Sequence, residues 1–335
     1  MTGFVDDCTQ RVNCFQSTTP PTTTTLLQMM TCDAQLWNDV LWASGGALEQ
    51  SKCSFYLIQS EWTQDGHPFL RGGKFTPPIT LRDGNNINLV YQKSNYESHK
   101  TLGCYVNPAY IHHRTCKAIV QKNTYYAQLL EMNHLTKSEA WIFYTSFYLP
   151  AITYSLPMNP LTHQHCVELN ARICRVLLPK CGYNRNMSAA IRYAPHHLGG
   201  AGFRHLYYEQ GALLLQHVFK YLNSPTTTIG RLLKATLSWT QAFLGTSRPF
   251  LTDTTQRLPP IGPSWLLDLR TFLSTINATI HLTEFPISKP LRSHDRFIMD
   301  VALQNQRWKT RHLLQINACR RFLQAQTLAD ICNLA

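Results

Sequence analysis

The chain has 335 residues, of which 44% are hydrophobic and 15% charged, and this composition excludes a globally disordered protein. Its 31 Lys and Arg residues against 19 Asp and Glu residues give a net charge of +12. Residues 1–100 hold 7 basic and 9 acidic side chains, so the positive excess lies entirely after residue 100. A basic region of this size suits a polyanion such as nucleic acid, and a solvated basic surface is an equal alternative.

The sequence also bears on the compartment. It contains no run of about 18 apolar residues, so it predicts no membrane-spanning helix. Residues 1–7 have neither a basic start nor an apolar core, which argues against a signal peptide. The 11 cysteines show no repeated spacing, which favours reduced thiols over a disulfide framework. We therefore expect a cytoplasmic or nuclear protein that is neither secreted nor membrane-bound.

The first hundred residues combine predicted strands with one helix. Short apolar stretches around Asp6 and Asp7 predict a hairpin in residues 1–15, followed by a Ser/Thr/Pro spacer over 16–25. Apolar residues at steps of three and four predict a helix from near Thr25 to Gly45. Further strands are predicted over residues 53–62, 79–81, 87–91 and 102–106, with turns at 64–66 and 83–86.

After Pro108 the pattern becomes helical. Length and periodicity predict helices over residues 109–136, 138–155, 160–178, 204–222, 227–244, 264–281 and 292–325. A small α+β unit therefore precedes a long helical region, and we divide the chain into residues 1–107, 108–180 and 181–335.

The Asp-Asp pair of Phe4-Val5-Asp6-Asp7 is the main chemical feature. A hairpin turn presents both carboxylates at one rim of a sheet, and Mg²⁺ prefers such hard oxygen ligands. Adjacent carboxylates repel each other, and a bound cation relieves that repulsion. A solvated turn is the alternative for an isolated pair of this kind.

Residues 3–7 resemble the aromatic-x-Asp-Asp motif of reverse transcriptases. The next block of that family is a helix, a glycine turn and a lysine before a strand, and residues 36–53 are similar to it, with the lysine at Lys52. The resemblance implies that Asp6 and Asp7 are catalytic Mg²⁺ ligands. It also implies that Lys52 donates a proton to the departing pyrophosphate or stabilises its charge.

Later segments resemble non-LTR-type retroelement reverse transcriptases. Residues 100–105 are similar to the Leu-Gly strand at the palm–thumb junction, whose turn rests against the primer's end, which places Gly103 there. Residues 144–154 resemble the thumb, and residues 198–203, 209–211 and 316–323 resemble the same lineage. The implied fold is a remnant of an antiparallel palm sheet (1–107), a mainly α-helical thumb (108–180) and a helical tail (181–335).

The implied function is RNA-directed DNA polymerisation by two metal ions. Its partners would be an RNA template and a DNA primer, and an intact parent enzyme would also bind Mg²⁺ and a deoxynucleoside triphosphate. Polymerases of this family carry another catalytic Asp and the fingers upstream of the Asp-Asp turn, and only five residues precede Asp6. We therefore expect this chain alone to be an inactive fragment.

Basic residues of the helical region supply a second hypothesis, a non-catalytic nucleic-acid-binding helical protein. The pairs Lys117–Lys122 and Arg172–Arg175 and the cluster at 307–311 could contact phosphates, or could be solvated helix faces.

Three other patterns favour structural roles. The histidines at 112–113, 163–165 and 196–197 lack zinc-site spacing, although Cys166 adjoins one pair. Residues 199–202, Gly-Gly-Ala-Gly, lack a nucleotide-binding pattern and predict a turn or tight packing. Trp141, Tyr144, Phe147 and Tyr148 have helical spacing, which favours core packing over base stacking.

Overall fold

The structure is a computed structural model that describes residues 2–3, 8–9, 22–46, 48–49, 52–63, 68–84, 86–282 and 293–332. The chain divides into two compact units, an N-terminal unit that ends at Ile111 and a C-terminal unit that begins at His112. The N-terminal unit mixes one long helix with short strands and the C-terminal unit is helical, so the fold class is α+β. Among the described helices, none combines the length and the apolar character needed to cross a membrane.

The helix of the N-terminal unit, α1, spans Thr23–Ala43 and begins two residues before the predicted Thr25. Its N-cap is Thr22, whose hydroxyl accepts a hydrogen bond from the Thr25 amide at 3.2 Å. Gly45 follows the helix at φ 82°, a conformation that costs glycine little. Both ends therefore follow from capping residues that the sequence displays.

The described strands are short. They are β1 (Thr2–Gly3), β2 (Cys8–Thr9), β3 (Ser54–Phe55), β4 (Ser60–Trp62), β5 (Pro68–Leu70), β6 (Ile79–Asp83), β7 (Asn86–Gln92), β8 (His99–Thr101) and β9 (Cys104–Val106). Four successive pairs, β1–β2, β4–β5, β6–β7 and β8–β9, are antiparallel. The strand predicted over residues 53–62 is divided into β3 and β4.

The largest described sheet has the order β3–β7–β6. Its β6–β7 pair is antiparallel, with Asp83 opposite Asn86, as the predicted turn requires. Its β3–β7 pair is parallel, with Ser54 opposite Tyr91, so the prediction of an antiparallel sheet is wrong at β3. A parallel neighbour needs a long crossover, and residues 56–85 supply it.

Helix α1 covers one face and the free edge of this sheet. Its residues Leu27, Met30 and Ala34 pack on a core made of Phe55, Ile79, Leu81 and Val90. At the edge, Gln35 Oε1 accepts from the Arg82 amide at 2.7 Å, and Gln35 Nε2 donates to the Arg82 carbonyl at 2.9 Å. These bonds satisfy backbone groups that an edge strand would otherwise leave unpaired.

The C-terminal unit is built from helices. They are α2 (His113–Met132), α3 (Lys137–Ile142), a π-helix (Phe143–Tyr148), α4 (Leu149–Thr153), α5 (His163–Lys180), α6 (Ala189–Tyr193), α7 (Leu206–Leu222), α8 (Thr228–Leu244), α9 (Trp265–Thr275), α10 (Ile298–Gln304) and α11 (Thr310–Phe322). One core cluster draws on α2 to α5 and α7, a second on α7 to α9, and a third on α10 and α11. Every cysteine whose side chain is described is a free thiol.

Two helix predictions are wrong in extent. The helix predicted over 292–325 is two helices, because the Asn305 side chain accepts from the Arg307 amide at 3.1 Å and competes with helical bonding. The helix predicted over 264–281 ends at Thr275, where Asn277 adopts φ 52°. Asparagine tolerates this left-handed conformation and commonly ends helices there.

Candidate nucleic-acid interface

The predicted metal ligands Asp6 and Asp7 lie outside the described residues. On either side of them β1 and β2 pair antiparallel, with Thr2 opposite Thr9 and Gly3 opposite Cys8. This pairing agrees with the predicted hairpin. The role of the two carboxylates stays a prediction.

Lys52, the third predicted catalytic residue, lies directly before β3. Its amide donates to the Glu49 carbonyl at 3.0 Å, and its side chain is exposed. Three residues later Phe55 is buried in the sheet core, which fixes the backbone that carries the lysine. The ammonium group is therefore available to solvent at the start of a strand.

The predicted primer contact, Gly103, lies in a tight hairpin turn. Leu102 and Gly103 connect β8 to β9, with Thr101 opposite Cys104. Their φ angles are 49° and 83°. Positive φ at both central residues is the signature of a type I′ turn, which matches the twist of the flanking strands. The predicted strand over 102–106 therefore begins two residues too early, because residues 102–103 form the turn and β9 begins at Cys104.

A leucine at positive φ is unusual. Left-handed backbone costs a residue with a Cβ about 1–2 kcal/mol, and such strain often accompanies functional sites. The Leu102 side chain remains 46% exposed, so its burial does not compensate for this cost. The turn therefore holds an exposed apolar side chain next to a glycine at the tip of a hairpin.

Side-chain hydrogen bonds anchor the base of this hairpin within the N-terminal unit. Lys93 Nζ lies 2.8 Å from His99 Nδ1 at the start of β8. After β9, Asn107 Oδ1 accepts from the Ile111 amide at 2.9 Å, and Asn107 Nδ2 donates to Ser98 Oγ at 3.2 Å. The turn at Leu102 thus projects from a fixed base.

In the C-terminal unit, α2 and α5 border a groove of about 700 Å³. The contact pairs Asn123–Leu169, Thr124–Arg172 and Asn133–Lys180 advance together along both helices, so the helices run in the same direction. The lining includes Arg172 and Arg175, two of the residues that the sequence predicts to contact phosphate. These arginines are three residues apart and share one face of α5.

The groove has mixed charge. Arg172 Nη1 donates to Thr124 Oγ1, which orients this guanidinium across the groove. Glu131 and Glu168 also line it, so only part of the surface favours an anion. The sequence did not indicate Thr124, because its pairing with Arg172 depends on how two distant helices pack.

Two further predicted phosphate contacts, Lys117 and Lys122, are exposed on α2 but are not among the residues that line the groove. Five helical residues correspond to a rotation of about 140°, so the two lysines do not share a face. The four basic residues therefore do not form one continuous row.

A buried polar network sets the spacing of the two groove helices. The hydroxyl of Tyr148, in the π-helix, donates to Asn123 Oδ1 at 2.9 Å, and Asn123 Nδ2 donates to the Leu169 carbonyl at 3.2 Å. Burial raises the pKa of Tyr148 well above its usual value, so this hydroxyl stays a neutral donor. The π-helix thereby links α2 to α5 beneath the groove.

Tyr144 and Tyr148 are buried and stack at 5.7 Å, so the predicted core role is confirmed for both. Trp141 packs edge-on against Phe203 in the same core. Phe147 is 59% exposed, so the prediction of core packing is wrong for this residue. The π-helix turns Phe147 away from the core while keeping both tyrosines inside.

Histidines of the predicted pairs contact neighbouring side chains, and a glycine of residues 199–202 packs closely against the backbone. His112 Nδ1 bonds to Asn159 Oδ1 at 2.9 Å, and His163 stacks on His205 at 5.6 Å. A Cβ on Gly200 would lie 2.0 Å from the Ala194 carbonyl oxygen, so the glycine-rich segment serves tight packing, as predicted. Within the described residues, no three His, Cys, Asp or Glu side chains cluster as a metal site.

Comparison with known proteins identifies no family for this chain. No protein-family model, no curated protein and no solved structure matches this chain.

Proposed function

We propose that this chain is the palm-end, thumb and tail part of a retroelement reverse transcriptase, and that it holds an RNA–DNA hybrid near the primer's end. The observation that carries the proposal is the Leu102–Gly103 turn. It lies where the resemblance places a primer-supporting turn, and it presents a strained, 46% exposed leucine at a hairpin tip.

The groove supports the second half of the proposal. Arg172 and Arg175 are exposed on one face of α5, and Arg172 is oriented by Thr124. Guanidinium groups in this arrangement bind phosphates and position a duplex without reading its sequence. The net positive charge of residues 101–335 adds a long-range attraction for a polyanion.

The experiment compares two hybrids, one with a recessed primer end and one with flush ends, by fluorescence anisotropy on the full chain. We expect tighter binding to the recessed hybrid. Leu102→Asn should abolish that preference, because asparagine keeps the left-handed turn but removes the apolar contact. Leu89→Asn is the matched control, since Leu89 is 44% exposed on β7. Equal affinity of the unaltered chain for both hybrids would contradict the primer role.

The two carboxylates suit Mg²⁺ by their chemistry, and the antiparallel strands on either side of them agree with presentation at a turn. In an intact parent enzyme, Asp6 and Asp7 would hold the ion and Lys52 would face the departing pyrophosphate of a deoxynucleoside triphosphate. When bound, the ion would stabilise negative charge on the reacting phosphate.

Manganese titration followed by electron paramagnetic resonance tests this assignment. Asp6→Asn combined with Asp7→Asn should remove the tightest site. Asp39→Asn, at an exposed carboxylate of α1, should leave it unchanged. If the double variant binds manganese as tightly as the unaltered chain, these carboxylates are not the ligands.

The alternative is a non-catalytic helical protein that binds nucleic acid. The arginine-lined α2–α5 groove favours it, since this feature needs no contribution from the N-terminal unit. In that case hybrid binding would depend on Arg172 and Arg175, with no preference for a primer end and no effect of Leu102→Asn.

A further inference from the structure

One helix of the C-terminal unit carries an apolar stripe on its exposed side. Along α8, Ile229, Leu232 and Trp239 are 50%, 51% and 58% exposed, and the half-buried Phe243 continues the stripe. Their spacing of three, seven and four residues keeps them on one side of the helix. The core-facing stripe of α8 uses different residues, among them Leu233, Leu237 and Leu244, so these exposed side chains are not needed for the core.

The C-terminal end of the stripe is a stack of flat groups. The rings of Trp239 and Phe243 are stacked with centroids 5.3 Å apart and planes at 30°. The Arg321 guanidinium, from α11, lies 4.4 Å from the Phe243 ring centroid. Arg321 Nε donates to the Asn317 carbonyl at 3.2 Å, which fixes this group in place. The adjoining Phe322 is 88% exposed.

The charge of the two helices has a single sign. Helices α8 and α11 contain no Asp or Glu, whereas α8 carries the exposed Arg231 and Lys234 and α11 carries the exposed Arg311 and the half-buried Arg321. A protein helix docked on this stripe would match the surrounding positive charge only if the helix were strongly acidic. A sugar–phosphate backbone has such charge in every unit, and its bases have flat faces.

We propose that Trp239, Phe243 and Arg321 form a stacking platform for single-stranded nucleic acid. An unpaired base would stack on the exposed indole of Trp239, which already stacks on Phe243. The neighbouring basic side chains would bind the phosphates. A duplex does not expose base faces in this way, so the platform selects single strands and its ligand differs from the hybrid bound in the α2–α5 groove. The platform does not depend on the polymerase assignment.

The test uses the full chain and fluorescein-labelled twelve-residue oligouridylate and oligothymidylate, with anisotropy at low salt. Trp239→Ala should weaken binding about tenfold, a typical loss for one stacked base. Trp239→Phe, which keeps a flat ring, should stay within about threefold of the unaltered chain. Tyr154→Ala is the matched control, because Tyr154 is 60% exposed and lies outside the platform. Preference for one oligonucleotide tells whether the strand is RNA or DNA.

Unchanged binding by Trp239→Ala, or an equal loss in Tyr154→Ala, would overturn the proposal. So would an absence of oligonucleotide binding, and sedimentation would then show whether Trp239→Ala abolishes self-association, the result expected of a protein interface. If the unaltered chain binds single strands but shows no preference for the hybrid with a recessed primer end, the result counts against the polymerase function and leaves the platform standing. Circular dichroism melts confirm that each variant is folded.

Discussion

The two units of this molecule hold their functional candidates in different ways. The N-terminal unit places Lys52 directly before a strand and Leu102 in a hairpin turn, and among its described residues the buried core cluster consists of Phe55, Ile79, Leu81 and Val90. The C-terminal unit places Arg172 and Arg175 on a long helix over a larger core. Small sheets of this kind are marginally stable alone. In the N-terminal unit the candidate residues thus lie next to short strands, and in the C-terminal unit the two arginines lie on an 18-residue helix.

The largest expected difference between the two units is the loss of stability when core volume is removed from the C-terminal unit. Leu177 is fully buried in the C-terminal core, so Leu177→Ala should lower the free energy of unfolding by about 2–5 kcal/mol. Leu198, which is 71% exposed, supplies the control, and Leu198→Ala should change stability by less than about 0.5 kcal/mol. Urea unfolding gives both values. Hydrogen exchange in Leu177→Ala should be faster than in the unaltered chain within residues 112–335. A change confined to residues 22–111 would contradict the division into two units.

A buried arginine provides the next largest effect, again in the C-terminal unit alone. Arg320 is 2% exposed and its guanidinium donates to the carbonyls of Ala242 and Phe243, the last turn of α8. A cation at a helix C-terminus is favourable, and buried acceptors left without a donor are costly. Arg320→Met should therefore destabilise the protein by about 2–3 kcal/mol.

The control for this change uses the adjacent arginine. Arg321→Met leaves the α8 carbonyls satisfied and should cost less than about 1 kcal/mol in thermal or urea unfolding. If both variants lose the same stability, the helix-capping role of Arg320 is wrong. Gly245→Ala should mimic Arg320→Met, because a Cβ there would lie 2.2 Å from Arg320 Cζ.

A smaller effect should appear as a pH dependence of the C-terminal core. Burial raises the pKa of the Cys166 thiol to about 12, with a further contribution from Cys116. Because the folded pKa lies above the usual thiol value, the folded state retains a proton that the unfolded state loses above about pH 9. The stability contributed by this thiol is thus complete below pH 9 and decreases as the pH rises towards 12.

The measurement compares the unaltered chain with Cys166→Ala by urea unfolding at pH 8 and pH 10.5. The unaltered chain should lose roughly 1–2 kcal/mol more than the variant over this interval. Parallel curves for the two proteins would show that Cys166 is accessible to solvent in the folded state.

Local signals predicted much of this fold. The helix predicted over 227–244 from its periodicity agrees with α8, whose N-cap Thr227 accepts from the Gly230 amide and whose C-cap is Gly245. The β6–β7 turn followed from its Asp-Gly pair. Caps and tight turns depend on neighbouring residues, so they can be read from a single sequence.

Nonlocal arrangements could not be predicted in the same way. The parallel pairing of β3 with β7 joins residues 37 positions apart at Ser54–Tyr91. The Thr124–Arg172 contact and the stack of Arg321 on Phe243 each join distant helices. No periodic pattern shows which helix faces meet, because packing depends on the whole core. The break at Asn305 was missed since neither proline nor glycine marks it.

The salt dependence of hybrid binding tests whether the α2–α5 groove binds the phosphates of an RNA–DNA hybrid. The full chain is titrated with an RNA–DNA hybrid at 50 and 200 mM salt, beside Arg172→Ala/Arg175→Ala and the charge-matched Lys137→Ala/Arg185→Ala. We predict that affinity falls steeply with salt and that the groove variant alone loses about two phosphate contacts from the salt slope. Absent binding at low salt, or equal behaviour of the two double variants, would contradict the assignment of the α2–α5 groove as the duplex interface.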